Sequence, residues 1–344
     1  VCVSGSSSSA GSNTSSSNCS APGDDQYVTD TCDSGSSSSL GSDTDFADCS
    51  EPGGPNQQSA GGGLYRLFAL NSDVGNGTSA EIGAVEDSTQ LSKNGVYVTT
   101  LNAGDIHSIS VVPSDIFSAN KPIYGVVYNS SATVTLTPEA FQGTQFTVPN
   151  HRRNPIRIDM YCLSDEDCEV GLHSPNDSYV QYFSANSYHT QIFTAGDNTS
   201  LSVTSLNNNP ILLSVSQDCC EDVTPIPPDS QQWLGMSSTC LDMAHRNGGT
   251  LVVTEYSSSG GVVTRNVPNA TGFYHECGYN TYSNGPGHLY TADAPFSAHT
   301  VADGNGGSAT PFLPLDLLST QFIVPVSNDH LAFVSTEVGE ITIE

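Results

Sequence analysis

The chain has 344 residues, 36% of them hydrophobic, and its 36 Asp+Glu against 8 Lys+Arg leave a formal net charge of -28. That length accommodates two ordinary domains and an appendage, while the charge repels phosphate backbones and anionic membrane faces and so excludes nucleic acid as a partner. There is no initiator Met, no signal-peptide core and no apolar run near the ~20 residues that a helical membrane span needs.

The first part of the chain is an array. Residues 2–23 and 32–53 both read C-x-S-G-S-S-S-S-x-G-S-x-T-x-x-x-x-C-S-x-P-G, with 30 positions separating Cys2 from Cys32. Strict period marks repeated small units, but Leu40 and Phe46 are the only large apolar residues within the two cysteine loops apart from valine. Burial of apolar area cannot fold such a unit. Disulfides Cys2–Cys19 and Cys32–Cys49 would each contribute about 3 kcal/mol by restricting the unfolded chain, and a link between repeats, Cys19–Cys32, is the competing pairing. Val1 stands where Thr31 stands in the second copy, so the sequence is expected to begin inside a repeat with further copies upstream.

From Leu64 the texture changes. Runs such as "GVYVTTL" (Gly95–Leu101), "HSISVV" (His107–Val112), "ATVTLT" (Ala132–Thr137) and "TSLSVTSL" (Thr199–Leu206) alternate β-branched and small polar residues between Gly, Pro and Asn, the pattern of antiparallel strands. The phrase "PEAFQGTQFTVP" (Pro138–Pro149) returns as "PLDLLSTQFIVP" (Pro314–Pro325) with six of twelve positions identical. The expected fold is all-β: Ser-rich disulfide-closed repeats (1–56), then two tandem related β-sandwich domains of jelly-roll or immunoglobulin-like type at 57–222 and 232–344, joined by a Pro-rich linker at 223–231.

Ten cysteines without zinc-site spacing point to disulfides and an oxidising compartment. Cys162–Cys168 would clamp a short loop. The adjacent Cys219 and Cys220 are expected to pair with Cys240 and Cys277 in an order that spacing leaves open. Seven sequons, at Asn13, Asn18, Asn76, Asn129, Asn176, Asn198 and Asn269, agree with an extracellular glycoprotein. Ser6, Ser7, Ser8, Ser9, Ser36, Ser37, Ser38 and Ser39 are the densest candidate sites for O-linked sugars.

Catalytic wording is sparse. There is no G-x-S-x-G elbow, no H-E-x-x-H and no phosphate loop; "SANK" (Ser118–Lys121) lacks its companion motifs. The Asp165, Glu166 and Asp167 run and the histidines His151, His245, His275 and His299 need geometry before they mean anything. The sequence therefore predicts no enzymatic activity and no cofactor. "ADGNGG" offers Asp303 and Asn305 as a fragment of a calcium loop, for which a polar turn is the better reading. "HRRNPIR" gathers Arg152, Arg153 and Arg157, which are expected to take internal acids or to dock the acidic array (Asp24, Asp25, Asp30, Asp33, Asp43, Asp45, Asp48, Glu51) of another copy.

The "SGSSSS…GS…C" array followed by β domains resembles protomers of extracellular glycoprotein filaments, the surface fibrils and flagellar hairs of algae and other protists; the β domains, through "GTQFTVPN" and "STQFIVPV", also resemble large secreted proteins that bear repeated β-sandwich modules. The filament resemblance covers fully only the first 55 or so residues. It implies a non-enzymatic cell-surface subunit that assembles head-to-tail with its own copies, carries covalent glycans, and uses the array as spacer. The strand-like Val338–Glu344 is a further candidate for pairing with a neighbour's sheet edge. The alternative is a carbohydrate-binding or adhesive protein with Trp233, Tyr279 and Tyr282 as a sugar platform.

Overall fold

The computed structural model describes residues 65–70, 78–128, 133–150, 155–194, 196–217, 223–236, 240–246, 249–257, 260–277, 287–301 and 309–318. They form antiparallel sheets joined by turns, with two single-turn 3-10 helices at Glu139–Phe141 and Leu315–Leu317. The all-β class holds. Period-two burial is the reason: in Ser79–Ala84, Ala80, Ile82 and Ala84 are buried, and in Leu251–Ser257, Leu251 and Val253 point inward while Val252 and Tyr256 face out.

The strands sort into three modules. The first contains β1 (Tyr65–Phe68), β2 (Ser79–Ala84), β3 (Thr89–Lys93), β4 (Val96–Leu101), β5 (Ile106–Ser110), β6 (Ile116–Ala119), β7 (Ile123–Tyr128), β8 (Thr133–Thr135) and β9 (Thr137–Pro138). The second contains β10 (Gln145–Asn150), β11 (Ile156–Cys162), β12 (Cys168–His173), β13 (Ser178–Phe183), β14 (Tyr188–Phe193), β15 (Thr199–Ser205), β16 (Ile211–Gln217) and β17 (Val223–Ile226). The third contains β18 (Ser230–Met236), β19 (Cys240–Ala244), β20 (Leu251–Ser257), β21 (Val262–Val267), β22 (Phe273–Cys277), β23 (Gly287–Val301), β24 (Ala309–Pro311) and β25 (Leu313–Pro314).

All three share one topology. The first module pairs β4-β3-β6-β1 in one sheet and β5-β2-β7-β8 in the other; the second pairs β13-β12-β15-β10 and β14-β11-β16-β17. In the third, β21-β20-β23-β18 and β22-β19-β23-β24 repeat the order, because the 15-residue β23 takes the places of both the sixth and the seventh strand. Its Phe296 pairs with Ser230 in one sheet and its next residue, Ser297, with Ala244 in the other.

Each module has its own core between its two sheets. Leu67, Ile82, Leu91, Phe117 and Ile123 fill the first, Phe146, Ile158, Val170, Leu201 and Leu213 the second, and Trp233, Met243, Val253, Tyr290 and Phe296 the third. A further cluster, Phe68, Leu70, Phe141, Tyr161 and Leu212, with Leu313 and Leu317 packed against it, joins the modules. Turn chemistry sets the hairpins. Asn94 and Gly95, both at positive φ, form the two-residue turn that registers Lys93 against Val96, and Asn94 Oδ1 accepts from the Ile116 amide at 2.8 Å.

Two expectations about domain boundaries need correction. The span 57–222 holds two sandwich cores where one was expected. The linker assigned to 223–231 is largely structured, since Val223–Ile226 is a strand paired with β16 and only Pro227–Asp229 connects modules two and three. Pro225 fits there because β17 lies at a sheet edge, where a missing donor is tolerated. The repeated phrase relates the first module to the third. Pro138 pairs with Leu67 and precedes the first 3-10 turn, and Pro314 pairs with Trp233 and precedes the second.

One close approach is testable. Gly235 on β18 faces the Phe312 ring so tightly that an added Cβ would overlap it. Gly235→Ala is expected to cost about 1–3 kcal/mol, the usual range for overpacking, measured as a lowered urea midpoint with unchanged slope.

Candidate functional site

The third module gathers buried titratable side chains: Asp242, His245, Glu255, Arg265, His288 and His299. Asp242 and His299 belong to a group on the outer face of the β19 sheet, while Glu255, Arg265 and His288 form a second group on the core side. His245 Nε2 meets the Val267 carbonyl at 3.2 Å, and a third polar group locks this module to the second.

The first group lies on β19, β22 and the end of β23. Leu241 and Met243 point into the core, so by alternation Cys240, Asp242 and Ala244 take the outer face. Opposite them on β22 stand Cys277, His275 and Phe273, and on the other side of β19 Asp242 faces His299. Cys240 and Cys277 are directly cross-strand, with Cα atoms 4.1 Å apart, and form a disulfide. His275 Nδ1 lies 2.6 Å from Asp242 Oδ1, and His275 Nε2 lies 3.0 Å from Cys277 Sγ. A carboxylate accepts, so Nδ1 donates to Asp242; in the neutral ring this leaves the Nε2 lone pair directed at the sulfur. The ligand-type atoms of Cys240, His275 and Cys277 all lie within 4.8 Å of one another. Behind them, His299 Nε2 and Ser297 Oγ are 2.8 Å apart. Burial pushes the His299 imidazole down to about 3, so it is neutral at ordinary pH. Both residues are sealed from solvent, which keeps any substrate from the Ser297 hydroxyl.

The second group is internal. Arg265 forms an ion pair with buried Glu255, and its Nε donates to Glu276 Oε2 at 2.8 Å. His288 meets the other oxygen of Glu255, and Tyr274 donates to Glu276 Oε2 at 2.6 Å. Burial, then the bond to Glu276 and its charge, push the Tyr274 phenol up to about 12. Burial and the neighbouring guanidinium lower His288. One cation between two carboxylates gives a cluster that fixes side-chain geometry.

The third group joins modules two and three. Thr147 Oγ1 on β10 donates to Asp229 Oδ2 at 2.7 Å, and Arg246 lies 3.6 Å from the same oxygen while donating to Gln145. Ser200 adds bonds from its amide and hydroxyl to the Thr271 carbonyl at 3.0 and 3.1 Å. Burial outweighs these partners and pushes the Asp229 carboxyl up to about 6.

Other expected site residues are placed as follows. Cys162 and Cys168 form a disulfide around the loop containing Asp165, Glu166 and Asp167, which are exposed. Pairing of Cys240 and Cys277 with Cys219 and Cys220 is corrected: Cys240 and Cys277 bond each other, because they sit opposite on adjacent strands. Trp233 is also corrected as a sugar-platform residue; it is fully buried and its Nε1 donates to the Phe296 carbonyl at 2.9 Å. Arg157 is half-buried on β11. Asn176, Asn198 and Asn269 lie exposed in turns. The array with its cysteines, serines and acids, Cys219, Cys220, Asn76, Asn129, His151, Arg152, Arg153, Tyr279, Tyr282, Asp303, Asn305 and Val338–Glu344 fall outside the described residues. Arg66, Lys93 and Lys121 are spent on Glu139, Asp115 and Glu86. No described helix is long and apolar enough to cross a membrane.

No protein-family model and no curated protein matches the chain. A solved structure, described as a Ca2+-stabilized adhesin that helps an Antarctic bacterium reach out and bind ice, is similar at 16% identity over 71% of this chain and 70% of that one. Its TM-score of 0.15 carries no argument.

Proposed function

We propose that the chain is a structural subunit of an extracellular, glycosylated filament, assembled head-to-tail from its own copies, with the N-terminal array as glycan-bearing spacer and connector. The observation that supports this reading is an edge that recurs in every module. The fourth strand ends its sheet each time, as β4, β13 and β21. Each time it exposes large apolar residues: Val96 and Tyr97, then Tyr179, Val180 and Tyr182, then Val262 and Val263. A sheet edge offers unpaired backbone donors and acceptors, and folded proteins ordinarily blunt it with charge or proline. Here it is apolar three times over, in a chain whose acids are abundant enough to have blunted it. Strand addition between copies would bury those side chains and satisfy the edge.

Self-association has to overcome the repulsion of the -28 charge. Assembly is therefore expected to be weak at low ionic strength and to grow as salt shortens the screening length to about 10 Å near 0.1 M. The test is light scattering and negative-stain imaging of the purified chain beside a variant carrying Val96→Lys, Val180→Lys and Val262→Lys. All three positions are exposed, so the effect on folding is small, and the added lysines lessen the net negative charge. Loss of filaments in the variant supports edge pairing. A wild-type chain that stays monomeric at every salt concentration, or a variant that assembles equally well, refutes it.

A further inference from the structure

We propose that the Cys240–Cys277 pair, with His275 between it and Asp242, is a redox-gated site for a thiolate-binding divalent metal such as zinc. The disulfide and the metal are alternative uses of the same two sulfurs.

The geometry carries this on three counts. Two sulfurs and one imidazole nitrogen converge within 4.8 Å, the donor set that borderline-soft zinc favours. The imidazole is already oriented, because its Nδ1 is held by Asp242 at 2.6 Å while Nε2 faces Cys277 Sγ at 3.0 Å. A carboxylate on the far nitrogen is the usual means of fixing the tautomer and raising the basicity of a metal-bound histidine. The site also has an open side: Cys277 is exposed although Cys240 is buried, so reductant and metal can reach the pair, and water can fill a fourth position. By contrast, the disulfide of the second module, Cys162–Cys168, has the Glu166 backbone carbonyl beside Cys162 Sγ.

The chemistry balances with a dithiol as reductant. The dithiol delivers two electrons and two protons and leaves as its own disulfide; the Cys240–Cys277 bond breaks and two thiols form. Metal entry then replaces the two thiol protons, which pass to the buffer, while His275 Nε2 supplies a lone pair. An external disulfide reverses the sequence: it accepts two electrons from the Cys240 and Cys277 thiolates and two protons from the buffer, leaves as two thiols, and the metal departs as the Cys240–Cys277 bond forms.

The full chain is reduced anaerobically with dithiothreitol, freed of excess reagent and titrated with cobalt(II), whose thiolate charge-transfer band reports sulfur ligation. Because the chain has ten cysteines, Cys240→Ser with Cys277→Ser is measured in parallel. Reduced wild type is expected to bind one more metal ion than this variant, and the oxidised chain to show no thiolate band. His275→Ala, which leaves both cysteines in place, is expected to weaken binding by at least about tenfold, as loss of an oriented ligand or its support does. The single Trp233, in the core of the same module, reports whether that module survives reduction. Equal cobalt titrations in wild type and the paired serine variant would overturn the proposal. So would undiminished affinity in His275→Ala, or Trp233 emission that moves to the unfolded value on reduction and is not restored by metal.

Discussion

Arg265→Met is expected to destabilise the third module by about 3–5 kcal/mol, because it removes the cation from the buried Glu255 carboxylate and leaves only the His288 imidazole beside it. Arg265 and Glu255 are both almost fully buried, so neither water nor salt can replace the lost partner. Glu276 is different: it is partly exposed and resolvates. Urea unfolding followed by Trp233 emission measures the loss, since that residue lies in the same core. Adding Glu255→Leu to Arg265→Met should recover most of the stability, because replacing a whole buried pair by apolar groups is close to neutral. Equal destabilisation by the single and double variants would show that the arginine acts through packing alone.

The second large effect is a pair of opposed pH dependences. His299 is held down to about 3 by burial, against about 6.5 in the unfolded chain. Below pH 6.5 the unfolded state takes up a proton that the folded state refuses, so stability falls as pH drops from 6.5 toward 3, by up to about 5 kcal/mol. Asp229 works the other way. Burial raises it to about 6, so the folded state keeps a proton that the unfolded state gives up above pH 4 or so. Its contribution is full below that pH and is lost as pH rises to 6, by about 3 kcal/mol. Between pH 4 and 6 the two nearly cancel. Asp229→Asn should unmask the His299 slope as steep acid destabilisation beginning near pH 6.5, and His299→Gln should unmask the opposite slope. Chemical denaturation at half-unit pH steps reads both. If Asp229→Asn leaves the profile flat, the assignment of these slopes is wrong.

How much of this was legible in the sequence differs by level. Alternation in runs such as Leu251–Ser257 gives the all-β class, and Asn94–Gly95 gives a hairpin with its register. The number of modules was hidden, because the repeated proline phrase runs from the end of the first module into β10 of the second without marking a boundary, and because β17 contains Pro225 and so reads as a linker. Topology, which depends on pairings such as Ile82 with Gly125, leaves no local trace. The dyad of Asp242 and His275 was present as two short phrases, Cys240-Leu-Asp242 and His275-Glu-Cys277, each with period two. Only the pairing of β19 with β22 places them side by side. Glu255 and Arg265 gave no signal, since in a strand pattern an inward-facing charge is indistinguishable from a solvent-facing one until the partner is known.

The threefold recurrence of one topology has a kinetic consequence for anything that grips its edges. A ligand strand released from β4 still has β13 and β21 within the span of the same polypeptide, so rebinding competes with escape at high effective concentration. Attachment through such a chain gains persistence from valency: weak individual grips, each breaking quickly, sum to a slow departure.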